Sequence, residues 1–306
     1  MSEQTLKRIL GALGILVVMW LVSTLLSGRS GGGATPDGGV AALLKGLDEA
    51  TVSAVRIVRR DQTVSLQRSG DAWTVNGNVA DSSAVTRFWN ALEEAQVGGV
   101  VANNPRNHER MGLSADSAWT VDFTLADGGM ASVLVGKSGP IFPSGYVRLP
   151  DQDAVVVVSG DLRATLNRSV TDWRDKTILR VDTAAVVRLV LETDEGTYVA
   201  ERSDSTWSVD GGPANAGTIR SVLDELANFV AVGFVEDDEI FQENPRRVTV
   251  LGAGRDTLGA VVITGEAGTR HARTPGNDVV FEVASFRADR ITPDIEDLRP
   301  PDAGGA

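Results

Sequence analysis

The chain opens with a long apolar run and then alternates between two periods. Residues 9–28, ILGALGILVVMWLVSTLLSG, carry no charge. Twenty such residues are about the length that crosses a hydrocarbon core of roughly 30 Å as a helix. Further on, period two takes over. VSAVRIV (52–58) and TVSLQR (63–68) alternate apolar and polar positions, and a short strand around Trp73 and Val75 follows. Period-two runs broken by polar turns predict antiparallel hairpins. Asn76-Gly77 supplies one such turn. Asp81 then serves as a helix N-cap, with Val85, Phe88, Leu92 and Ala95 on one stripe. Spacing of three and four places such residues on one buried face. Strands around VVA, TVDFTL, ASVLVG, YVRL and AVVVV come next, and a short helical segment, DLRATLNR, closes the set.

The same pattern then runs again. AVVRLVL (185–191), TYVAER and a Trp207 strand precede a helix capped by Asn215, with Ile219, Val222, Leu223, Leu226, Phe229 and Val230 on its stripe. At a constant offset of 134, Trp73 meets Trp207, Val75 meets Val209, Trp89 meets Leu223, Gly99 meets Gly233 and Val101 meets Val235. At an offset of 125, YVRLPDQDAVVVV (146–158) lies over HARTPGNDVVFEV (271–283), and Arg174 meets Arg299. The difference implies a loss of about nine residues from the second copy, between Val235 and His271, where HERMGLSADS has no counterpart. Strands paired across hairpins with one packed helix predict an α+β fold, present as two tandem repeats.

These patterns divide the chain into an N-terminus of residues 1–8, a transmembrane helix over 9–28, and a Gly-rich flexible linker over 29–46. A first α+β repeat spans 47–177, a second 178–299, and a disordered tail 300–306. The span is longer than the usual core of a cleaved signal peptide, and no small-x-small cleavage site follows it. Lys7 and Arg8 before it place the N-terminus in the cytoplasm and the bulk of the chain outside.

Composition narrows the chemistry. The formal net charge is −12, and residues 40–306 hold 39 acidic against 26 basic side chains. That balance opposes nucleic-acid binding, which needs a basic surface, and opposes adhesion to anionic headgroups through charge. With no Cys, disulfides, thiolate metal sites and Cys nucleophiles are excluded. Only His108 and His271 are present, so a multi-histidine metal site is not available.

Each remaining motif has a structural reading that outweighs a catalytic one. Trp73 and Trp207 sit in alternating strands and read as core or hairpin packing, with sugar or base stacking the alternative. Arg148 and Arg273, each two residues before a Pro, could fork an anion, but LPDQD and TPGND are turn sequences. Glu236, Asp237, Asp238 and Glu239 are consecutive and lack the Gly turn of a calcium loop; Asp151 and Asp153 read as turn residues too. GKSGP (136–140) lacks the second Gly of a nucleophile elbow. LGAGRDTLG (251–259) has Gly252 and Gly254 without the third Gly of a dinucleotide loop. His108 lies in a polar loop, His271 begins a strand, and no partner that would tune either can be named. Asp172, Arg174, Asp175 and Lys176 read as an exposed ion-pair segment after Trp173. Catalytic, cofactor-binding and metal residues are therefore all assigned as none, and no cofactor is expected.

The ordered pieces AWTVNG, VTRFWNAL, HERMGLSADSAWTVDFTL, VLVG, YVRLPDQDAVVVV and TDWRDKTIL resemble the bacterial envelope family known as domain of unknown function 4340. The resemblance covers most of residues 47–180, and the second copy repeats it more weakly. Met111-Gly112-Leu113 stands where Tyr-Gly-Leu is common, and the Pro usual just afterwards is missing from SADSA. The resemblance implies no catalytic residues. It does imply a setting beside ABC-type transport systems of the kind associated with gliding motility.

Two functional readings follow. The leading one is a single-pass, non-enzymatic protein of the bacterial inner membrane, anchored by its N-terminal helix, that engages a partner such as an ABC transporter permease or auxiliary subunit. The alternative is a periplasmic ligand-binding module with a site between the two repeats.

Overall fold

The computed structural model describes residues 39–235, 245–265, 268 and 270–300. The predicted span over 9–28, the acidic cluster 236–239 and nearly all of the tail lie outside them. Among the described residues no helix is long and apolar enough to cross a membrane. The chain divides into two compact units, 1–170 and 171–306, and the division falls at Val170–Thr171 instead of the expected 177–178.

The first unit contains α1 (Gly39–Gly46), β1 (Val52–Arg59), β2 (Gln62–Ser69), β3 (Ala72–Val75), β4 (Asn78–Val79), α2 (Ser82–Glu93) and β5 (Gln96–Ala102). A 3-10 turn (Pro105–Asn107), α3 (His108–Met111), β6 (Trp119–Leu125), β7 (Met130–Ser138), β8 (Ser144–Arg148), β9 (Val155–Ser159) and α4 (Leu162–Leu166) complete it. Its strands form one antiparallel sheet in the order β4-β3-β2-β1-β6-β7-β8-β9-β5.

After α5 (Val170–Trp173) and β10 (Thr177–Leu179), the second unit runs through β11 (Arg188–Thr193), β12 (Gly196–Ser203), β13 (Thr206–Val209), β14 (Gly212–Pro213) and α6 (Ala216–Leu226). Next come β15 (Phe229–Val230), β16 (Gly233–Val235), β17 (Arg246–Leu251), β18 (Thr257–Thr264), β19 (Arg270–Arg273), β20 (Val280–Val283), α7 (Ser285–Ile291) and α8 (Ile295–Leu298). Its large sheet has the order β14-β13-β12-β11-β17-β18-β19-β20-β16. Strand by strand this repeats the first sheet. The architecture is α+β, dominated by two large antiparallel sheets.

Register and turn chemistry match as closely as strand order. Ala54 faces Gln67 in the first unit, and Arg188 faces Glu201 in the second, both 134 residues on. Asn76 and Gly77 have φ of 47° and 83°; Asp210 and Gly211 have 49° and 80°. Two successive positive φ values make the tight hairpin turn whose twist suits paired strands. In each turn the side chain ties the hairpin to the preceding strand: Ser65 N–H of β2 donates to Asn76 Oδ1 at 2.7 Å, and Val199 N–H of β12 to Asp210 Oδ1 at 3.0 Å. Asp81 and Asn215 both cap their helices, accepting from the second and third following amides.

α2 covers one face of the first sheet. Phe88 is fully buried; its ring stacks on Phe123 of β6 at 6.5 Å and meets Trp89 edge-on at 5.0 Å. Val55, Ile57, Val64, Leu66, Val75 and Val121 complete this core. Full burial of one such side chain stabilises by about 1.5–3 kcal/mol. In the second unit Ile219, Val222 and Leu226 of α6 play the part of that stripe against Leu189, Leu191, Val248 and Val250.

Four expectations change. First, the final stretch of the expected linker is helix α1, because Val40, Leu43 and Leu44 bury an apolar face. Second, Phe229 and Val230 leave the helix and form β15, which pairs with β10. The helical spacing misleads there because the chain turns at Asn228 yet returns Phe229 to the same core. Ala95 likewise lies beyond α2. Third, the strand expected over 185–191 starts at Arg188, because Asp182 Oδ1 accepts from Ala184 N–H and holds a turn. Fourth, the loss in the second copy is split. The offset falls from 134 to 127 at β17, where Val121 and Val248 occupy equivalent registers, and reaches 125 only at β19.

Candidate functional site

The structure engages most of the side chains that could have done chemistry. Trp73 is buried, donates its indole N–H to Glu49 Oε1 at 2.9 Å and packs against Trp89 at 5.7 Å. Arg68 lies over its ring at 6.0 Å, and Arg202 lies over Trp207 at 5.9 Å. Both arginines also donate to the backbone just ahead of equivalent strands, to Glu49 O before β1 and to Ala184 O before β11. The repeated Arg-on-Trp pair is therefore packing that fastens the strand entry.

Arg148 is held by backbone carbonyls. It donates to Leu149 O at 3.0 Å and Pro150 O at 2.9 Å, with longer bonds to Gln152 O and Leu113 O. The guanidinium thus closes the β8–β9 turn. Arg273 occupies the equivalent register, facing Val262 as Arg148 faces Leu134.

His108 differs from expectation: it heads α3 instead of lying in a loop, is 8% exposed, and its Nε2 is 3.0 Å from Asp153 O. Leu113 and Met111 bury an apolar cluster beside it, and that burial sets the helix in place. His271 lies in β19, and its Nδ1 is buried without a hydrogen-bond partner among the described residues.

The motif-like loops are turns and strand ends. Ser138 of GKSGP ends β7, so no strand-to-helix elbow is formed. Gly136 is required by packing, since a Cβ there would lie 2.3 Å from Met111 O. Gly252 to Asp256 close the β17–β18 hairpin, with Arg255 at a φ of 61°. Lys176 pairs with Asp172 at 3.2 Å, and Arg174 covers Phe234 with its guanidinium 3.5 Å from the ring centroid. No group of three metal-ligating side chains occurs among the described residues.

Two clusters of charge remain. In the first unit the guanidinia of Arg163 and Arg59 lie 4.6 and 5.6 Å from the Trp119 ring. Burial pushes Arg163 below its ordinary value, and its Nε donates to Gly136 O at 2.8 Å. In the second unit a groove of about 840 Å³ is lined by Arg246, Arg270, Arg290, Asp289, Asp294 and the start of α6. Each arginine there already has a carboxylate: Asp294 for Arg246, Asp289 for Arg270 and Glu225 for Arg290.

The feature left open is the β5 side of the first sheet. Of the four edge strands of the two large sheets, β4 and β14 have two residues each and β16 has three, while β5 has seven. Its sequence, QVGGVVA, carries no charge, and Val100 and Val101 are 59% and 49% exposed. Natural edges are usually short, charged or covered, because unpaired backbone groups recruit further strands. Only bulges beside Val100 blunt this one. In the second unit Phe234 sits at the position of Val100, half-buried between Phe281 and Arg174. Close by on the first sheet, the β7–β8 loop projects Ile141 and Phe142. Reading motifs by reactive groups passes over both features; the legible signal was an uncharged strand and an Ile-Phe pair between two prolines.

No curated protein and no solved structure matches the chain. One family model does, over residues 73–248, from the Trp strand of the first unit into β17 of the second. That match covers more than half of the sequence: the chain belongs to the family described as domain of unknown function (DUF4340).

Proposed function

We propose that the chain is a non-catalytic envelope protein, held at the bacterial inner membrane by residues 9–28, whose first unit docks a membrane-protein partner through β5. An ABC-type transport permease or auxiliary subunit is the partner class. The observation that carries this reading is the seven-residue, uncharged edge of β5 with Val100 and Val101 exposed. Such an edge suits strand addition, in which main-chain bonds give affinity and alternate side chains give selectivity. Engagement of Arg148 and His108 by backbone carbonyls supports a scaffold in place of a reactive centre.

Crosslinking and pull-down of the full chain from native membranes tests it. A permease subunit should accompany the wild-type chain and be lost from the Val100→Asp variant, while Val79→Asp on the opposite edge retains it. Recovery of the chain alone, or equal recovery with Val100→Asp, refutes the reading.

A further inference from the structure

The β7–β8 loop carries an apolar pair that the docking edge does not explain. Ile141 is 77% exposed and Phe142 84%, the two most exposed large hydrophobic side chains among the described residues. Single exposed apolar residues are ordinary on a protein surface, but an adjacent pair on a fixed loop marks a contact. The loop is fixed. Ser144, itself buried, donates its hydroxyl to Ile141 O at 2.5 Å; Gly139 N–H donates to Ser144 O, and Gly160 N–H to Pro143 O. The backbone is thus tied from both sides while the side chains stand in solvent.

The loop's own sequence is uncharged. From Ser138 to Val147 the chain has no charged residue, and Lys137 and Arg148 bracket this run. The corresponding connection in the second copy, residues 265–269, reads GEAGT, with an acid and no large apolar side chain. The pair therefore belongs to the unit nearer the predicted membrane span.

We propose that Ile141 and Phe142 insert into the surface of the bilayer that holds residues 9–28, so that the first unit is attached at two points. The inference rests on the membrane-anchor reading above. Chain length favours lipid as the occupant. Residues 29–38, ten in number, separate the predicted span from Gly39, and ten residues reach at most about 35 Å. Gly39 lies beside Gln152, at the end of β8 remote from the pair. The five residues of β8 cover roughly 17 Å at about 3.3 Å per residue. A tether of that reach is longer than β8 itself, so it lets the pair touch lipid while Gly39 stands off at the far end of the strand. The acidic balance disfavours attachment by charge, and the contact is accordingly one of apolar insertion at the headgroup boundary.

The chain has no cysteine, so single labels are straightforward. The full chain is reconstituted in vesicles of phosphatidylethanolamine with phosphatidylglycerol, carrying an environment-sensitive fluorophore on the Phe142→Cys variant and, as control, on Val79→Cys. Position 142 should show blue-shifted emission that lipid-borne nitroxides quench, and position 79 neither. If the chain floats with the vesicles but the label at 142 keeps the emission of water, the inference fails and the anchor reading stands. Blue-shifted emission without nitroxide quenching would place the pair against a second copy of the chain and also overturns the lipid contact. If the chain does not float with the vesicles, the anchor reading is lost and the inference with it.

Discussion

Replacing Arg148 by Met separates a turn clamp from an anion site. Met keeps an apolar stem and removes the guanidinium, whose two shortest bonds, at 2.9 and 3.0 Å, go to Pro150 O and Leu149 O. Bonds from a charged donor contribute about 1.5–3 kcal/mol each when fully desolvated. The group is only half-buried, and the longer contacts at 3.3 and 3.4 Å are near the limit of useful geometry. Water can replace part of what is lost. A net destabilisation of about 2 kcal/mol is therefore expected, which for a unit of this size lowers Tm by roughly 4–8 °C. Thermal unfolding of the full chain in detergent, followed by circular dichroism, measures it. Arg148→Lys keeps the charge without the fork and should recover less than half of the loss. A Tm for Arg148→Met within about 1 °C of wild type would refute the clamp, given the size assigned to the carbonyl bonds. So would a Tm of the wild-type chain that rises with added phosphate and ceases to do so in the variant.

Other consequences follow from the repeated geometry and from one buried charge. Asp81→Ala and Asn215→Ala remove equivalent N-caps and should each cost about 1 kcal/mol in denaturant unfolding; a loss at one position alone would break the equivalence. Glu225 is 7% exposed and is held by Arg287 and by Arg290 at 3.0 Å; Glu225→Ala removes both ion pairs, while Arg287 keeps Val230 O and Asn228 O and Arg290 reaches solvent, so a cost of about 2 kcal/mol is expected by urea midpoint. Gly136→Ala drives a Cβ against Met111 O, and a Tm drop of about 5 °C or more is expected from backbone strain; an unchanged melt would show that α3 yields freely.

Most of the fold is legible in the sequence because local chemistry sets it. Asn76-Gly77 and Asp210-Gly211 demand positive φ, and both turns form. Asp81 and Asn215 cap where their side chains can reach free amides. Spacing alone fails where two elements share one core: Phe229 keeps helical phase with Leu226 yet sits in a strand, because tertiary burial and not helix propensity places it. His108 looks like a loop residue because its neighbours are polar; its burial comes from the distant β8–β9 turn through Asp153 O. The edge position of β5 is not legible, for the opposite reason. QVGGVVA reads like any inner strand, and only the order of the sheet reveals that no described strand lies beyond it.

The most direct measurement is photocrosslinking from position 100 in native membranes. A photoreactive residue at Val100 should yield a discrete adduct with a membrane protein of a transport system, and one at Val79 should yield none. No adduct from position 100, or the same adduct from both positions, contradicts β5 as the docking edge.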